Sequence, residues 1–170
     1  MIFIVFLKKI KIIMKIKLIV VGKTNASYLK TGESNYEDRL KHYCKFEDLL
    51  IPQIKNSGKL SNKYLKIKEG KLILKNMHSM DQVILLDEKG KSFSSIDFSN
   101  LLNQKLLDST KRLVFVIGGA FGFSEEVYKR ADLKLSFSKM TFSHQMIRLI
   151  FKEQLYRAFT ILKGEKYHHE

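Results

Sequence analysis

FVIGGAFGFS, residues 115–124, places three glycines between an apolar run and a serine followed by two glutamates. Residues 115–117 are typical of the end of a buried strand, and Ser124 is typical of a capped helix start. Glycines at such a junction let the backbone turn sharply or approach a ligand closely. The stretch therefore predicts a strand, a candidate binding loop and a helix. The loop glycines are Gly118, Gly119 and Gly122.

Two familiar glycine loops do not fit this stretch. A phosphate-binding P-loop ends in Gly-Lys-Ser/Thr, and no lysine lies between Arg112 and Lys129. A dinucleotide fingerprint has the spacing G-x-G-x-x-G in the first strand–helix unit. Here the spacing is G-G-x-x-G, and the loop comes late in the chain. The ligand has to be inferred from the rest of the sequence.

Length and composition indicate one basic globular domain. The chain has 170 residues, 45% of them hydrophobic, and a formal net charge of +14. That charge favours a polyanionic partner, most simply nucleic acid, with an anionic membrane surface as the second choice. The alternative is a lysine-rich background that marks no particular partner.

Cysteine and histidine usage predicts neither a disulfide nor a metal centre. Cys44 is the single cysteine, so an intramolecular disulfide or a cysteine-based zinc site is excluded, and a reducing, cytoplasmic compartment is expected. No H-E-x-x-H or comparable spacing occurs among the histidines. They are His42, His78, His144, His168 and His169.

The first thirteen residues, MIFIVFLKKIKII, read as an extension outside the fold. Their basic residues follow the apolar run, which is the reverse of a signal peptide, and no small-residue cleavage site follows. The run is also too short to span a bilayer. Met14 is the better domain start, so the domain is expected at 14–170. Omitting the three lysines of residues 1–13 leaves a net charge of +11.

Strand and helix patterns alternate from Met14 onward, which predicts an α/β fold with a mostly parallel sheet and no second domain. The predicted strands are Lys15–Val21, Phe46–Ile54, Gln82–Leu86, Arg112–Ile117 and Leu133–Phe137. The predicted helices span about 27–44, from the N-cap Ser61 to about 79, from a cap at Ser94 or Ser95 to 107, 124–130 and about 143–162.

Ligands of parallel α/β sheets bind beyond the carboxyl ends of the strands. Three loops of this chain are expected at that edge: Leu86–Gly90, where the chain turns, Gly118–Phe123 and Phe137–Ser143. If these loops are neighbours in space, their backbone groups can form one pocket.

Four segments carry a resemblance to a known family. They are MKIKLIVVGK from Met14, LLDEKGK (85–91), FVIGGAFGF (115–123) and LSFSKMTFSHQMIRLIFKEQLYRAFTILKGEKYHH from Leu135. In this order and spacing they resemble the RlmH family, SPOUT-class methyltransferases that methylate N3 of a pseudouridine in 23S rRNA of the large ribosomal subunit. The resemblance implies an α/β fold with a C-terminal trefoil knot, a homodimer, and S-adenosylmethionine bound by the knot loops.

The resemblance also implies the cofactor-binding residues. A sulfonium donor without phosphates needs neither a P-loop nor a lysine, and an apolar wall with close backbone suits its adenine. From the residues alone, Leu86, Phe137, Met140 and Phe142 would be interpreted as core residues. The implied residues are Leu86, Gly118, Gly119, Phe137, Ser138, Lys139, Met140, Thr141 and Phe142.

His144 and Arg148 are the candidate catalytic residues near the start of the last helix. Their i, i+4 spacing would place both on one helix face. N3 of the base keeps its proton at neutral pH, so the site has to remove that proton or stabilise the anion. We expect His144 to accept the proton and Arg148 to stabilise negative charge on the base or a phosphate. The alternative for His144 is a hydrogen bond within its own turn.

The C-terminal tail of the family reaches the partner subunit's pocket, which adds Tyr167 and His168 to the expected active site. Two positions depart from the family pattern. His169 stands where Arg or Lys is usual, so a phosphate contact there should be weaker and pH-dependent. Ser143 stands where proline is usual, and as a good N-cap it should preserve the helix start.

For several surface features, the sequence is compatible with two interpretations. Lys59–Lys75 can attract phosphates without sequence preference or can be an ordinary solvated helix face. Tyr156 and Arg157 can face RNA or the dimer partner, or Arg157 can pair with Glu153.

Three functions are compatible with the sequence. The first is methylation of 23S rRNA within the large subunit or the assembled ribosome, the second a non-catalytic basic RNA- or ribosome-binding protein, and the third an α/β enzyme that uses another nucleotide. No membrane partner is expected.

Overall fold

The computed structural model describes residues 14–55 and 57–168. The predicted extension 1–13 and His169 therefore lie outside the described residues. The strands are β1 (Lys15–Val21), β2 (Lys45–Ile51), β3 (Gln82–Ser92), β4 (Arg112–Ile117) and β5 (Leu133–Ser136). The helices are α1 (Ser27–Leu40), α2 (Asn62–Lys75), α3 (Ser95–Leu107), α4 (Glu125–Arg130) and α5 (Met146–Lys163), with a short 3₁₀ turn at Ser57–Lys59.

The five strands form one parallel sheet in the order β2-β1-β4-β3-β5. β4 lies in the middle and is the most apolar strand, with residues 113–117 all buried. Such runs are expected where helices cover both faces of a sheet. The predicted α/β fold with a parallel sheet is thus confirmed, while the trefoil knot stays a prediction.

Alternate side chains of β4 enter two separate cores. Phe115 faces a core built with α1, α3 and α5, where its ring centroid lies 4.8 Å from that of Phe151. Val114 and Val116 face a second core built with α2 and α4. The period of two along a strand produces this division. Among the described residues, no helix is both long and apolar enough to cross a membrane.

Serine caps fix three helix starts where the sequence predicts them. Ser61 Oγ accepts a hydrogen bond from the Tyr64 amide at 3.2 Å, as expected for the N-cap of α2. For α3, the cap is Ser94 rather than Ser95, and Asp97 completes a capping box with it. Ser124 caps α4 through the Val127 amide.

Three predicted elements are too long, and local hydrogen bonds explain why. The first helix ends at Leu40 rather than Cys44, because the His42 and Tyr43 amides form tighter i→i+3 bonds. β2 ends at Ile51 rather than Ile54, because Pro52 has no amide to donate to a ladder. α2 ends at Lys75 rather than residue 79. There Asn76 Nδ2 donates to the Leu72 carbonyl at 2.8 Å, and the Asn76 amide bonds at i→i+3.

The predicted turn at residues 87–90 is instead part of β3. The strand continues to Ser92, and its pairing with β5 shifts register between Leu86 and Lys91. Gly90 permits this path, because a Cβ there would stand 2.6 Å from the carbonyl carbon of Lys134. β3 therefore leaves the sheet after Leu86, bulges, and returns to β5.

The last strand and the last helix differ by a few residues from the prediction. β5 ends at Ser136 rather than Phe137, and α5 begins at Met146 rather than Ser143. Ser143 still prepares the helix start: its Oγ accepts from the Met146 amide at 3.1 Å and its carbonyl from the Ile147 amide at 3.1 Å. The substitution of serine at this position thus retains a capping group.

Candidate functional site

A cavity of about 600 Å³ lies beyond the carboxyl ends of β3, β4 and β5. These three strands are neighbours in the sheet, so their following segments meet at one edge. The walls come from residues 86–89, 117–123, 135–138 and 140–144, with Tyr128 from α4 and Ile147 from α5. The expectation that the three loops form one pocket is confirmed.

Most of the predicted site residues meet at this cavity. The predicted residues that line it are Leu86, Gly118, Gly119, Phe137, Ser138, Met140, Thr141, Phe142 and His144. Lys139 belongs to the same loop but is exposed and does not line the cavity. Arg148, Tyr167 and His168 also lie outside the lining.

The glycine loop is held from behind by α2. A Cβ built on Gly119 would stand 2.6 Å from Oε2 of Glu69, so a larger residue requires the Glu69 side chain or the loop to shift. The loop closes on itself through a 3.1 Å hydrogen bond from the Gly122 amide to the Gly119 carbonyl. Burial raises the pKa of Glu69, which is 7% exposed. Sequence reasoning did not single out Glu69, which reads as one more polar residue of a lysine-rich helix.

Two carboxylates of the β3 bulge tie the walls together. Asp87 Oδ2 accepts a 2.6 Å hydrogen bond from Tyr128 Oη on α4. Glu88 Oε2 accepts a 2.7 Å hydrogen bond from Thr141 Oγ1 in the loop after β5. Burial and the Asp87 bond raise the pKa of Tyr128 to about 12, which keeps this phenol a donor at neutral pH. Sequence reasoning missed these roles, although it placed residues 86–90 at the pocket.

The loop after β5 combines a buried anchor with an exposed apolar rim. Phe137 packs edge-to-face on Phe98 with ring centroids 5.8 Å apart. Ser138 shapes the turn, since its Oγ accepts from the Met140 amide at 2.8 Å. Met140 and Phe142 then remain exposed at the cavity. The alternative that all the apolar members are core is therefore wrong for these two residues.

His144 is a half-buried pocket residue whose ring favours the neutral form. Burial, and secondarily the positive charge of Arg148, lower the pKa of His144 below its usual value. His144 lies in the turn before Met146, where the Ile147 amide already donates to the Ser143 carbonyl at 3.1 Å. The predicted common face of His144 and Arg148 stays a prediction. A neutral imidazole can accept a proton from a neighbouring acid.

Arg148 is a buried cation beneath the pocket. It is 2% exposed, and its Nη2 donates to the Val21 carbonyl at 2.6 Å and its Nη1 to Thr24 Oγ1 at 3.1 Å. Within residues 14–55 and 57–168, its Nε is the buried side-chain polar atom that lacks a hydrogen-bond partner. Burial lowers the pKa of Arg148, and the nearby carboxylates of Glu33 and Asp48 oppose that effect.

A second buried cation lies one helical turn further along α5. Lys152 is fully buried, and its Nζ lies 2.7 Å from Glu33, 2.6 Å from Glu37 and 2.6 Å from Asp48. These three carboxylates have the spacing of a metal-binding cluster, and the ammonium group donates to all of them. Glu33 also accepts from Thr24 Oγ1 at 2.7 Å, which joins Lys152 to the Arg148 contacts.

The tail residues fold back along α5 and do not line the pocket. Tyr167 Oη lies 3.1 Å from Tyr36 Oη and 3.2 Å from Glu153 Oε1, and His168 Nδ1 lies 3.4 Å from Arg157 Nη1. Glu153 and Arg157 lie in the middle of α5. Tyr167 and His168 therefore lie beside the middle of this helix and outside the pocket lining of their own protomer.

The fold and the pocket agree with the comparisons to known proteins. The family described as "Predicted SPOUT methyltransferase" matches residues 14–168. A probable methylase family protein from Haemophilus influenzae Rd KW20 has a similar fold, with a TM-score of 0.51 at 13% identity, over 93% of this chain and 71% of that one. The chain belongs to the SPOUT methyltransferase family.

More similar relatives define the group within that family. A protein of Parabacteroides distasonis is 59% identical over 157 residues, covering 92% of this chain and all of that protein. A protein of Christiangramia forsetii is 57% identical over 156 residues, covering 92% of this chain and 99% of that protein. Both are named "Ribosomal RNA large subunit methyltransferase H", the RlmH group that the motifs resemble.

Proposed function

We propose that this protein transfers the methyl group of S-adenosylmethionine to N3 of a pseudouridine in 23S rRNA of the large ribosomal subunit. The observation that carries the proposal is the pocket at the ends of β3, β4 and β5, which gathers nine of the predicted site residues. The names of relatives at 57% and 59% identity support the RNA substrate.

The chemistry of the pocket fits the donor. Its glycine loop offers backbone groups, while Leu86, Phe137 and the exposed Met140 offer apolar surface for an adenine. Asp87 and Glu88 add negative charge at the wall, which suits a ligand with a sulfonium and an ammonium group. When bound, S-adenosylmethionine supplies an activated methyl group on sulfur.

His144 is the group that we assign to proton removal. The methyl–sulfur bond breaks as the bond to N3 of the base forms, and the N3 proton has to leave. His144 lines the cavity, and its lowered pKa keeps the ring nitrogen free to take that proton at neutral pH. Arg148 lies outside the cavity and would act through its charge, by stabilising negative charge on the base.

The tail residues are assigned to the partner's pocket in a homodimer. Tyr167 and His168 do not line the pocket of their own protomer. In an isologous pair, each tail can serve the other protomer. The dimer, like the cytoplasmic location, is part of the proposal.

Label transfer from tritiated adenosylmethionine to purified ribosomes that lack the modification tests this function. We expect label in the large-subunit RNA with wild-type protein, and no label above background with a His144→Ala variant that still binds adenosylhomocysteine. Cofactor binding without label on any RNA would show a different substrate. Salt-sensitive RNA binding without cofactor binding would favour the non-catalytic RNA- or ribosome-binding protein instead.

A further inference from the structure

We propose that the outward face of α2 guides the phosphate backbone of the RNA whose base enters the pocket. This lysine face consists of Lys63, Lys68, Lys71 and Lys75, together with Tyr64. The inference rests on the proposed function and adds to it the surface that holds the RNA.

The helical period places these residues on one side of α2. At about 100° per residue, the four lysines and Tyr64 fall within an arc of about 140°. Leu65, Glu69 and Ile73 point the opposite way, into the protein, and are buried. No ion pair within the described ranges involves a lysine of this face.

The charge of α2 is unbalanced in a way that the other exposed helices are not. α2 carries five lysines, and its one acidic residue, Glu69, faces inward. α1 carries two basic and three acidic residues, and α4 carries two of each. α5 is basic, but Arg148 and Lys152 are buried and Arg157 pairs with Glu153 at 2.6 Å. Among the helices, α2 therefore carries the largest excess of exposed cations that form no ion pair within the described ranges.

The lysine face lies next to the pocket. The inner side of α2 contacts the glycine loop at Gly119 through Glu69. It also contacts α4 at Gly70, where a Cβ would stand 2.4 Å from Ser124 Oγ. α2 follows β2 and so begins at the carboxyl edge of the parallel sheet, the same edge as the cavity. Its outer face is then about one helix diameter, 10–12 Å, behind the pocket wall.

Tyr64 gives the face an aromatic component that suits unpaired RNA. Its side chain is 47% exposed, and Lys68 Nζ lies 4.8 Å from the ring centroid. A base can stack on an exposed aromatic ring while neighbouring cations hold the adjacent phosphates. The acidic residue that faces this surface from α4 is Glu126, whose pKa Lys71 helps to lower after local hydrogen bonds and Lys129. Lys71 is thus the lysine whose charge is partly offset.

Two triple variants with the same net charge change test the proposal. In the first, Lys63, Lys68 and Lys75 become Gln. In the second, the matched control, Lys45, Lys105 and Lys111 become Gln. Lys45 and Lys111 lie at the amino edge of the sheet, the opposite edge from the cavity, and Lys105 lies in the last turn of α3. Methyl transfer to ribosomes and to protein-free large-subunit RNA is measured at several salt concentrations, with adenosylhomocysteine affinity measured alongside.

We expect the α2 variant to raise KM for both RNA substrates by about tenfold or more. It should also lower the slope of log affinity against log salt by about two units, since each lost phosphate contact removes about 0.7–0.9. Adenosylhomocysteine affinity should stay within about twofold of the wild type. Equal KM values for the two triple variants would overturn the inference and leave the proposed function intact. A defect on ribosomes but not on free RNA would also overturn it, in favour of a ribosomal protein contact. A wild-type protein without methyl transfer would overturn the proposed function itself.

Discussion

The carboxylate of Glu69 on α2 lies directly behind Gly119 of the pocket loop. A Cβ at Gly119 would stand 2.6 Å from Oε2, 3.0 Å from Oε1 and 3.1 Å from Cδ of that side chain. Real Cβ contacts of this kind do not reach 2.6 Å, so any larger residue has to displace the loop or Glu69. Packing against α2 therefore favours glycine at position 119, independently of any ligand.

Gly119→Ala should weaken cofactor binding because the loop has to move away from Glu69. We expect a stability loss of about 1–3 kcal/mol from overpacking, with a fall in adenosylhomocysteine affinity of about tenfold or more. Urea unfolding and calorimetric titration measure the two effects. In a Glu69→Ala background the same substitution should cost less, which a double-mutant cycle detects. Additive losses would contradict the contact, and Gly58→Ala, with nothing within 4 Å of the new Cβ, is the neutral control.

His144→Ala should lower the methyl-transfer rate by about 10²–10⁴-fold, the usual contribution of a positioned base. Adenosylhomocysteine affinity should change little, and His42→Ala, at an exposed position, should leave the rate unchanged.

The pH profile of the wild type tests the same assignment. Burial and Arg148 lower the pKa of His144 below 6.5, so the neutral base persists as the pH falls to 6.5. The rate should be lost only below that value. Loss of rate with a midpoint above 6.5, or a fully active His144→Ala, would remove His144 from the proton-transfer step.

Lys152→Met should destabilise the fold by about 2–4 kcal/mol, because it leaves the buried Glu33 and the partly exposed Glu37 and Asp48 without their cation. The surrounding carboxylates raise the pKa of Lys152 above 10.5 despite its burial. Its contribution is therefore present below pH 10.5 and is lost as the pH rises through the raised folded value. Urea unfolding at pH 7 measures the loss, and a change below about 1 kcal/mol would contradict a buried network.

Asp48→Asn should be far better tolerated. One ammonium group faces three carboxylates, so although Lys152 itself stays charged, burial together with Glu37 and Glu33 raises the pKa of Asp48. The folded state then binds more protons than the unfolded state. The Asp48 carboxylate therefore lowers the free energy of unfolding as the pH rises from 3.8 through the raised folded-state pKa. The free energy of unfolding of Asp48→Asn, measured with urea, should therefore rise relative to that of the wild type across this pH range. A gain that appears as the pH falls would contradict the assignment.

Mixed dimers test whether the tail acts on the partner's pocket. A His144→Ala protomer and a His168→Ala protomer, each inactive as a homodimer, should regain up to about a quarter of wild-type activity on mixing. Half of the random dimers are mixed, and each holds one intact pocket with one intact tail. No activity at any mixing ratio, with dimer exchange verified, would place the tail on its own pocket.

Much of the fold could be predicted because the strands carry strong local signals. Lys15–Val21 and Arg112–Ile117 are observed with the predicted bounds, since their apolar and β-branched runs are covered by helices on both faces. The predictions were wrong where contacts between residues distant in the sequence determine the local structure. The β3 bulge depends on the close passage of Gly90 and the β5 backbone, and the sequence near residues 87–90 resembles an ordinary turn.

The pocket loops could be predicted, but the charge arrangement beneath and around them could not. Lys152 reads as a surface lysine of a basic chain, and its burial depends on carboxylates more than 100 residues away. Tyr128 enters the site only because the bulge brings Asp87 to its hydroxyl. α5 begins at Met146, two residues after His144, because residues 144 and 145 form a turn before the helix.

Nucleoside mass spectrometry after reaction on ribosomes identifies the atom that receives the methyl group. Two ribosome preparations serve as substrates, both without the modification, one with and one without the pseudouridine in 23S rRNA. We expect N3-methylpseudouridine in the large-subunit RNA of the first preparation. A methyl group on another nucleoside, or equal methylation of both preparations, would contradict the proposed function.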